Sequence, residues 1–367
     1  MTKKVRVGLL FGGRSGEHEV SLLSAKSIYE AIDKDKYEVI LIGIDKEGHW
    51  LLNDESHYLL SAASPKLISL DQAHSKKVAP VSHRPTASLL SIDRGQKLGS
   101  VDVIFPIMHG TDGEDGSMQG LLEILNVAYV GSGVVGSALG MDKDVMKRLL
   151  NQAGIKTAQF ITLRKSEADT FTLNDVLEKM TLPVFIKPAN LGSSVGVSKV
   201  GDKRDFQPAL DNAFLYDIKI LIEEGVSGRE VECSVLGNNE PIASVVGEVI
   251  PTHEFYSYEA KYIDANGARL KIPADLPKNL IKRIQALAIK TFQTLEASGM
   301  ARVDFFVKSN GEVLVNEINT IPGFTKISMY PKLWEVSGVP YAALLDKLIN
   351  LAIEKKNEKD GLRRSFC

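Results

Sequence analysis

Cysteine is scarce in this sequence, and long apolar runs are absent from it. The 367 residues include only two cysteines, Cys233 and Cys367. Two are too few for a disulfide framework or a zinc site, and they suit a reducing compartment. No segment approaches the run of about 20 apolar residues that spans a membrane, and the apolar stretch at residues 7–11 is too short for a signal peptide. We therefore expect a soluble, intracellular protein with no membrane partner.

The chain also lacks a strong excess of charge of either sign. It carries 44 Lys and Arg against 46 Asp and Glu, a formal net charge of -2. A nucleic-acid-binding protein is usually basic, so no nucleic-acid partner is expected, although local Lys and Arg residues can still bind a small anion. At roughly 150 residues per domain, the length indicates two or three domains.

The first part of the chain alternates strands and helices, which predicts a parallel α/β sheet. Strands are predicted at 5–11, 39–44, 101–105 and 127–130. A Gly-rich turn at 12–16 leads into a helix with apolar residues at helical spacing. These residues are Leu22, Ala25, Ile28 and Ile32. Residues 53–100 are polar and uneven, and we interpret them as variable loop and edge structure.

The remainder of the chain predicts two further units. A helix at 142–153 opens the first of them, and short β-rich stretches follow it at 183–187, 195–199 and 219–224. Two strands, 301–307 and 312–318, enclose a Ser-Asn-Gly turn and are expected to form a hairpin. A last helix should begin near Pro340, since proline suits a first helical turn. The predicted domains are 1–141, 142–224 and 225–367.

The predicted hairpin carries polar residues inside apolar strands. Because side chains alternate between faces, Arg302 and Asp304 share one face of the first strand, as do Glu317 and Asn319 in the second. Pairing the strands would bring Asp304, Glu317 and Asn319 together as oxygen ligands for a hard cation such as Mg²⁺. Arg302 beside them can stabilise developing negative charge. The alternative is a solvent-facing polar surface of the hairpin.

A magnesium site of this kind needs a phosphate-binding partner, and the chain has no P-loop. Lys187 instead ends a strand that leads into the small-residue loop 192–194. Backbone N–H groups in such a loop can bind phosphate, and Lys187 can add a point charge. Lys143 lies in the first turn of a helix, where anions are favoured, and can also hold a phosphate. An ordinary Gly/Ser turn and a solvated lysine are the alternatives.

One short motif points to a different function. Residues 131–136, GSGVVG, match the G-x-G-x-x-G pattern of dinucleotide-binding proteins. That pattern requires an acidic residue about 20 positions further on, and residues 151–156 contain none. A dinucleotide-dependent oxidoreductase is therefore not favoured.

Four motifs in order make the sequence resemble a known family. They are GGRSGEHEVS at 12–21, HGTDGEDG at 109–116, KPANLGSSVG at 187–196, and RVD at 302–304 with NEINTIPG at 316–323. Together they resemble the D-alanine–D-alanine ligases, over about residues 5–350. The implied fold class is mixed α/β and α+β, an ATP-grasp fold with an N-terminal Rossmann-like parallel-sheet domain.

The resemblance implies ATP between the central and C-terminal domains. The implied nucleotide contacts are Lys143 and Lys187 to phosphate, Ser193 in the loop, Glu223, Glu224 and Val226 around adenine, and Glu230 to ribose. Asp304, Glu317 and Asn319 would hold two Mg²⁺ ions, for which Mn²⁺ can substitute.

The resemblance also implies the positions of both D-alanine molecules. Glu17 would hold the ammonium of the first D-alanine. Ser194 and Tyr262 would be its hydrogen-bonding partners, and His109 would lie near the same subsite. The other implied contacts are Arg302 and the Gly323 N–H at an oxyanion, and Lys261, Ser328 and Met329 at the second D-alanine. Residues 256–269 are the candidate lid. Read alone, Glu17 is also explained as a helix N-terminal charge, His109 as a loop residue and Tyr262 as a packed aromatic.

The implied activity is ATP-dependent ligation of two D-alanines through an acyl phosphate, releasing ADP and phosphate, for peptidoglycan precursors in a bacterial cytoplasm. A homodimer is expected from the resemblance alone. A D-alanine–D-lactate ligase is one alternative, which Tyr262 disfavours. A nucleotide-binding regulator without catalysis is another, but it should lack a metal ligand or Arg302, and both are present.

Overall fold

The structure is a computed structural model that describes residues 3–54, 59–60, 68–83, 86–93, 95–251 and 268–363. Its strands are β1 Val5–Gly12, β2 Tyr37–Ile44, β3 Trp50–Asn53, β4 Leu59–Leu60, β5 Ser69–Leu70, β6 Lys76–His83, β7 Thr86–Ser91, β8 Lys97–Val101, β9 Val103–Pro106, β10 Ala128–Tyr129, β11 Phe160–Arg164, β12 Val184–Pro188, β13 Ser198–Val200, β14 Lys219–Glu224, β15 Arg229–Gly237, β16 Ile242–Pro251, β17 Ala268–Lys271, β18 Gly299–Val307 and β19 Val313–Asn319.

The helices lie mostly between these strands or follow them. They are α1 His18–Ala31, α2 Ser117–Leu125, α3 Val134–Met141, α4 Lys143–Gln152, α5 Leu173–Leu177, α6 Phe206–Ala213, α7 Lys278–Thr294, α8 Met329–Val336 and α9 Tyr341–Asp360. Across the described residues no single helix is long and apolar enough to cross a membrane. Only α8 and α9 taken together meet that length and composition, and they are bent by 104°.

The first sheet has the order β10-β9-β1-β2-β3-β6-β7-β8. Strands β10, β9, β1 and β2 are parallel, which confirms the parallel α/β sheet. From β3 onward the pairing is antiparallel. Where the structure describes residues within 53–100, their interpretation as edge structure is therefore confirmed, but the interpretation as loop is wrong for β6 to β8. Antiparallel edge strands can face solvent on one side, so their sequences read as polar and uneven.

A tight turn connects β1 to α1. Gly12 and Gly13 have φ angles of +90° and +102°, a region that L-residues other than glycine rarely adopt. A Cβ atom at Gly12 would lie 2.2 Å from the Ile44 carbonyl oxygen. Glycine is thus required here, and the turn brings Glu17 to the N-terminal end of α1.

Two smaller sheets follow, in the orders β11-β14-β12-β13 and β17-β16-β15-β18-β19. The predicted hairpin is confirmed as β18 and β19, with Asp304 opposite Glu317 and Arg302 opposite Asn319. The strand predicted at 195–199 is wrong at its start, since β13 begins at Ser198. Gly196 has a φ angle of +70°, so the chain is still turning inside the predicted range.

Helix α9 begins after Pro340, as predicted. Its buried residues Leu344, Leu345 and Leu348 belong to the same core as Val7 and Leu9 of β1. The helix therefore packs on the first sheet, although the predicted boundaries place it with the C-terminal residues 225–367. The division into three domains remains a prediction, and α9 connects its first and last members.

Replacing Leu348 with alanine should test this packing. Leu348 is fully buried, whereas Leu362 is 68% exposed. The cavity left by Leu348→Ala should lower the free energy of unfolding by about 2–5 kcal/mol, while Leu362→Ala should change it by at most about 0.5 kcal/mol. Urea unfolding of both variants measures the difference, and equal effects would contradict the assigned core.

Candidate active site

The carboxylate of Glu17 lies where the first sheet meets the serine loop, residues 190–197. Glu17 is buried, and its Oε1 accepts a hydrogen bond from Ser193 Oγ. A Cβ atom at Gly110 would lie 2.7 Å from Glu17 Oε2, and one at Gly192 would lie 3.3 Å from it. Glycine at both positions therefore leaves room for the carboxylate.

The serine loop has the shape of an anion site. Ser193 and Ser194 have φ angles of +52° and +60°, which non-glycine residues adopt uncommonly. Asn190 donates from its backbone N and from Nδ2 to Asp217 Oδ2, at 2.8 and 2.9 Å, and so fixes the start of the loop. Backbone N–H groups in turns of this kind can face an anion.

Helix α4 begins at the centre of the site. The Asp142 side chain caps it by accepting from the backbone N of Asp144 and Val145. Lys219 of β14 holds this end in place, with Nζ 2.5 Å from Asp142 Oδ2 and 3.3 Å from Asp144 Oδ2. Lys143 Nζ can therefore donate to the Leu191 carbonyl at 2.6 Å.

A buried cluster of three charges lies beside the serine loop. Glu223 Oε1 is 2.7 Å from Lys187 Nζ, and its Oε2 is 2.6 Å from Lys147 Nζ. Burial alone would raise the pKa of Glu223, but the charges of Lys147 and Lys187 outweigh it and keep that pKa below its usual value. Sequence analysis missed Lys147. The available signal was its position four residues after Lys143, on the same helix face.

The hairpin brings its polar residues together as predicted. Arg302 donates from Nε and Nη2 to the two oxygens of Asp304, both at 2.7 Å, and Asn319 Nδ2 donates to Asp304 Oδ2 at 3.1 Å. Glu317 Oε2 lies 3.5 Å from Lys143 Nζ. Glu232 of β15 was missed, and its Oε2 is 2.8 Å from Arg302 Nε.

The donor set of this face suits a hard cation. The carboxylates of Glu232, Asp304 and Glu317 face the cationic side chains of Arg302 and Lys143, so these five groups carry one surplus negative charge. Carboxylate and amide oxygens are the ligands that Mg²⁺ prefers. Turning the Asn319 amide over would exchange the positions of its nitrogen and oxygen, so that the oxygen could face such an ion. Asp304, Glu317 and Asn319 therefore fit the predicted role.

A separate acidic group lies in the turn between β2 and β3. Oxygens of Asp45 and Glu47 and a ring nitrogen of His49 lie within 4.8 Å of one another. The Asp45 carboxylate accepts from the backbone N of both Glu47 and His49 and from His49 Nδ1. These bonds close the turn, so the group is explained without a cation.

Two side chains clamp the backbone of Ile321 between sheets. His109 Nδ1 is 2.9 Å from the Ile321 carbonyl oxygen, and its Nε2 is 3.2 Å from Ser24 Oγ. Burial lowers the pKa of His109, which favours a neutral ring that donates from Nδ1. Glu114 accepts from the backbone N of Ile321 at 3.0 Å and of Gly110 at 2.8 Å.

Glu114 was also missed, although it lies inside the HGTDGEDG motif. Burial, and then the charge of Glu17, raise the pKa of Glu114 to about 8. A carboxyl group in the middle of a conspicuous motif, surrounded by glycines, was the available signal. Its two acceptor atoms link the loop after β9 to the loop after β19.

The other residues predicted to contact the two D-alanines or the oxyanion occupy three different settings. A Cβ atom at Gly323 would lie 3.0 Å from Ser328 Oγ, which itself accepts from the backbone N of Thr325 at 3.0 Å. The Met329 side chain lies in a small core cluster with Val249. Lys261 and Tyr262, with most of the candidate lid, lie outside the described residues.

The adenine and ribose candidates line the end of β14 and the start of β15. Glu224 Oε1 accepts from the backbone N of Gln159 at 2.9 Å, and its side chain borders an open pocket of about 380 Å³. Val226 is half-buried. Glu230 lies two residues before Glu232, so both side chains point to the same face of β15.

Comparison with known proteins gives a consistent result over the whole chain. Residues 6–132 match the family model "D-ala D-ala ligase N-terminus", and residues 149–350 match "D-ala D-ala ligase C-terminus". The chain is 52% identical over 362 residues to the D-alanine–D-alanine ligase of Oceanobacillus iheyensis, which covers 99% of each sequence.

Two solved structures are also similar. The D-alanine-D-alanine ligase from Coxiella burnetii has a TM-score of 0.86 and 40% identity, over 98% of this chain and 97% of that one. The VanG D-Ala:D-Ser ligase from Enterococcus faecalis has a TM-score of 0.83 and 34% identity, over 95% of this chain and 100% of that one.

The raised pKa of Glu114 predicts a pH dependence of stability. In the folded protein the carboxyl group keeps its proton up to about pH 8, whereas its ordinary pKa is 4.5. Between these values the folded state binds more protons than the unfolded state, so the free energy of unfolding should fall as pH rises. Glu114→Gln cannot titrate and should lose this contribution.

Urea unfolding of both proteins from about pH 5 to about pH 8 measures the effect. Glu335→Gln, at an exposed position, is the control and should follow the unsubstituted protein. An identical pH slope with and without Glu114→Gln would contradict the assignment.

Proposed function

The chain belongs to the D-alanine–D-alanine ligase family, and we propose that it joins two D-alanine molecules in a reaction driven by ATP. The observation that carries this proposal is the contact of Glu17 with Ser193. It sets a carboxylate that can hold an ammonium group against a loop that can hold phosphate. Formation of an acyl phosphate from an amino acid needs these two sites side by side.

The first step activates a carboxylate, which is a poor acyl donor. A carboxylate oxygen of the first D-alanine attacks the γ-phosphorus of ATP, the bond to the β,γ-bridging oxygen breaks, and ADP leaves. Lys143 and Lys187 would hold the phosphates and offset the negative charge that develops on them. Glu17 would hold the substrate ammonium, with Ser194, Tyr262 and His109 around it.

Metal ions would assist this step. Asp304, Glu317 and Asn319 would hold two Mg²⁺ ions, for which Mn²⁺ can substitute, and when bound these ions neutralise phosphate charge. The nucleotide would be bound further by Ser193 in the loop, by Glu223, Glu224 and Val226 around adenine, and by Glu230 at the ribose.

The second step forms the peptide bond. The amine of the second D-alanine attacks the acyl carbon, and phosphate leaves with the bridging oxygen while the amine loses a proton. Arg302 and the Gly323 N–H would stabilise the oxyanion that develops at the acyl carbon. Lys261, Ser328 and the backbone of Met329 would hold the second carboxylate. Water must be excluded, because it would hydrolyse the acyl phosphate.

The product would be a peptidoglycan precursor, and we propose a bacterial cytoplasm as the location of the reaction. A homodimer is proposed on family resemblance alone, without a nucleic-acid or membrane partner. These assignments rest on the family.

A second candidate differs in the second substrate. The VanG neighbour is a D-Ala:D-Ser ligase at 34% identity, so D-serine is an alternative, as is D-lactate. The relative from Oceanobacillus iheyensis is a D-alanine–D-alanine ligase at 52% identity over nearly its full length. That difference favours D-alanine in both positions.

ADP release from Mg-ATP tests the proposed function. We expect release with D-alanine alone and none with L-alanine, with D-alanyl-D-alanine identified by mass spectrometry. Added D-serine or D-lactate should not become the main second substrate. Release that requires either of them would assign the chain to the corresponding ligase, and no release in any mixture would contradict the proposal.

Asp304→Ala should remove most of the activity. The variant loses an oxygen ligand and the partner of Arg302, so kcat should fall at least about 100-fold. Asp169→Ala, at an exposed position, is the matched control and should leave kcat unchanged. Activity of Asp304→Ala near that of the control would remove the metal assignment.

Tyr262→Phe should alter the choice of second substrate. Because the hydroxyl of Tyr262 is proposed to favour the dipeptide over the ester, its loss should let D-lactate compete with D-alanine while ATP use persists. The ratio of ester to dipeptide product measures this change, with Tyr216→Phe as the control. An unchanged ratio would remove the role assigned to Tyr262.

A further inference from the structure

Helix α4 carries a lysine that the proposed reaction does not use. The side chain of Lys147 has no exposed surface, and its Nζ lies 2.6 Å from Glu223 Oε2. Lysine is almost never fully buried unless it is paired. Among the described residues, no acceptor forms a well-aligned hydrogen bond with this Nζ. The contact is therefore an ion pair held by charge.

The cluster around Glu223 has more positive than negative charge. Lys147 and Lys187 both contact its carboxylate, one at each oxygen. Lys187 side-chain exposure is 11%, against 5% for Glu223. Burial lowers the pKa of Lys147, whereas the negative charges of Glu223 and Glu317 favour its ammonium form. With both lysines protonated, two ammonium groups against the Glu223 carboxylate leave one surplus positive charge, which is costly in a site shielded from water. A bound anion would offset it.

The charge of Glu223 would be poorly compensated during nucleotide binding if Lys187 were its only partner. A phosphate bound at Lys187 would share the single positive charge of that ammonium with Glu223 Oε1. The buried Glu223 carboxylate would then be only partly neutralised, and an uncompensated buried charge is destabilising. The loss would be subtracted from the free energy of nucleotide binding.

We propose that Lys147 is a positioning residue that keeps Glu223 neutralised, so that the Lys187 ammonium is available to the phosphates of the nucleotide. The inference rests on the proposed function, since it requires ATP to bind at Lys187. Lys147 itself touches neither substrate nor phosphate. It acts through Glu223.

A purely structural role for Lys147, the attachment of α4 to β14, does not account for the burial of a charged side chain. Lys219 of β14 already attaches the start of α4, through Asp142 and Asp144. A second attachment one turn later would not need a buried ammonium group. The nearby ring of Phe160 lies 5.9 Å from Lys147 Nζ, at the far limit of a cation–π contact.

The first test compares ligands with and without phosphate. Lys147→Met replaces the side chain by an unbranched apolar one that is shorter by one heavy atom, and it removes the charge. Its Kd for Mg-ATP, measured by calorimetry, should rise about ten- to 100-fold, the loss of one charge-assisted contact. Its Kd for adenosine should stay within about threefold, since adenosine has no phosphate. The KM for ATP should rise more than kcat falls.

The second test is a double-mutant cycle with Glu223→Gln. In that background no carboxylate needs a counterion, so adding Lys147→Met should weaken ATP binding by no more than about threefold. A structural role for Lys147 predicts the same loss in both backgrounds. Lys165→Met, at an exposed position, is the matched control.

The outcomes separate this inference from the proposed function. Unchanged ATP affinity of Lys147→Met, equal losses for ATP and adenosine, or an additive cycle would each overturn the role of Lys147. Should Lys147→Met fail to fold, Lys147→Gln gives the same comparison. If the unsubstituted protein binds ATP but makes no dipeptide, the substrate assignment fails and the role of Lys147 can still hold.

Discussion

The Lys143 ammonium contacts the Leu191 carbonyl at 2.6 Å and the Glu317 carboxylate at 3.5 Å. It thereby joins α4 to the serine loop and to the hairpin β18–β19. Glu17 makes a similar link between segments, because its carboxylate accepts a hydrogen bond from Ser193 of the serine loop. A buried charge is costly unless it is paired. The segments that supply these charges are therefore held against one another, and the site exists only where they meet.

The charges that remain surplus in the structure match the charges of the proposed ligands. The Lys147–Glu223–Lys187 cluster has an excess of positive charge, which suits phosphate. The carboxylates around Asp304 have an excess of negative charge, which suits a cation. Such groups are positioned before the reaction begins, so stabilising the charge that develops in it requires little reorganisation.

The hairpin site could be predicted from sequence, because side chains in a strand alternate with a fixed period and Arg302 and Asp304 stand out among apolar neighbours. Lys147 was harder to predict. Its position one turn after Lys143 indicates the helix face, but a lysine on an amphipathic helix usually reaches solvent, and only its contact with Glu223 of β14 shows that it is buried. The packing of α9 on the first sheet was not predicted, for a related reason. Its apolar face is readable in the sequence, but the surface it covers is set by the tertiary fold.

The proposed reaction depends most on transfer of the γ-phosphoryl group of ATP to the carboxylate of the first D-alanine. Labelling that carboxylate with heavy oxygen tests the transfer directly, by mass spectrometry of the phosphate released during turnover. We expect each phosphate to carry one labelled oxygen, because the bridging oxygen leaves with it when the amine attacks the acyl carbon. Unlabelled phosphate, formed alongside dipeptide, would contradict an acyl phosphate and with it the arrangement of Glu17, the serine loop and Arg302 argued from the structure.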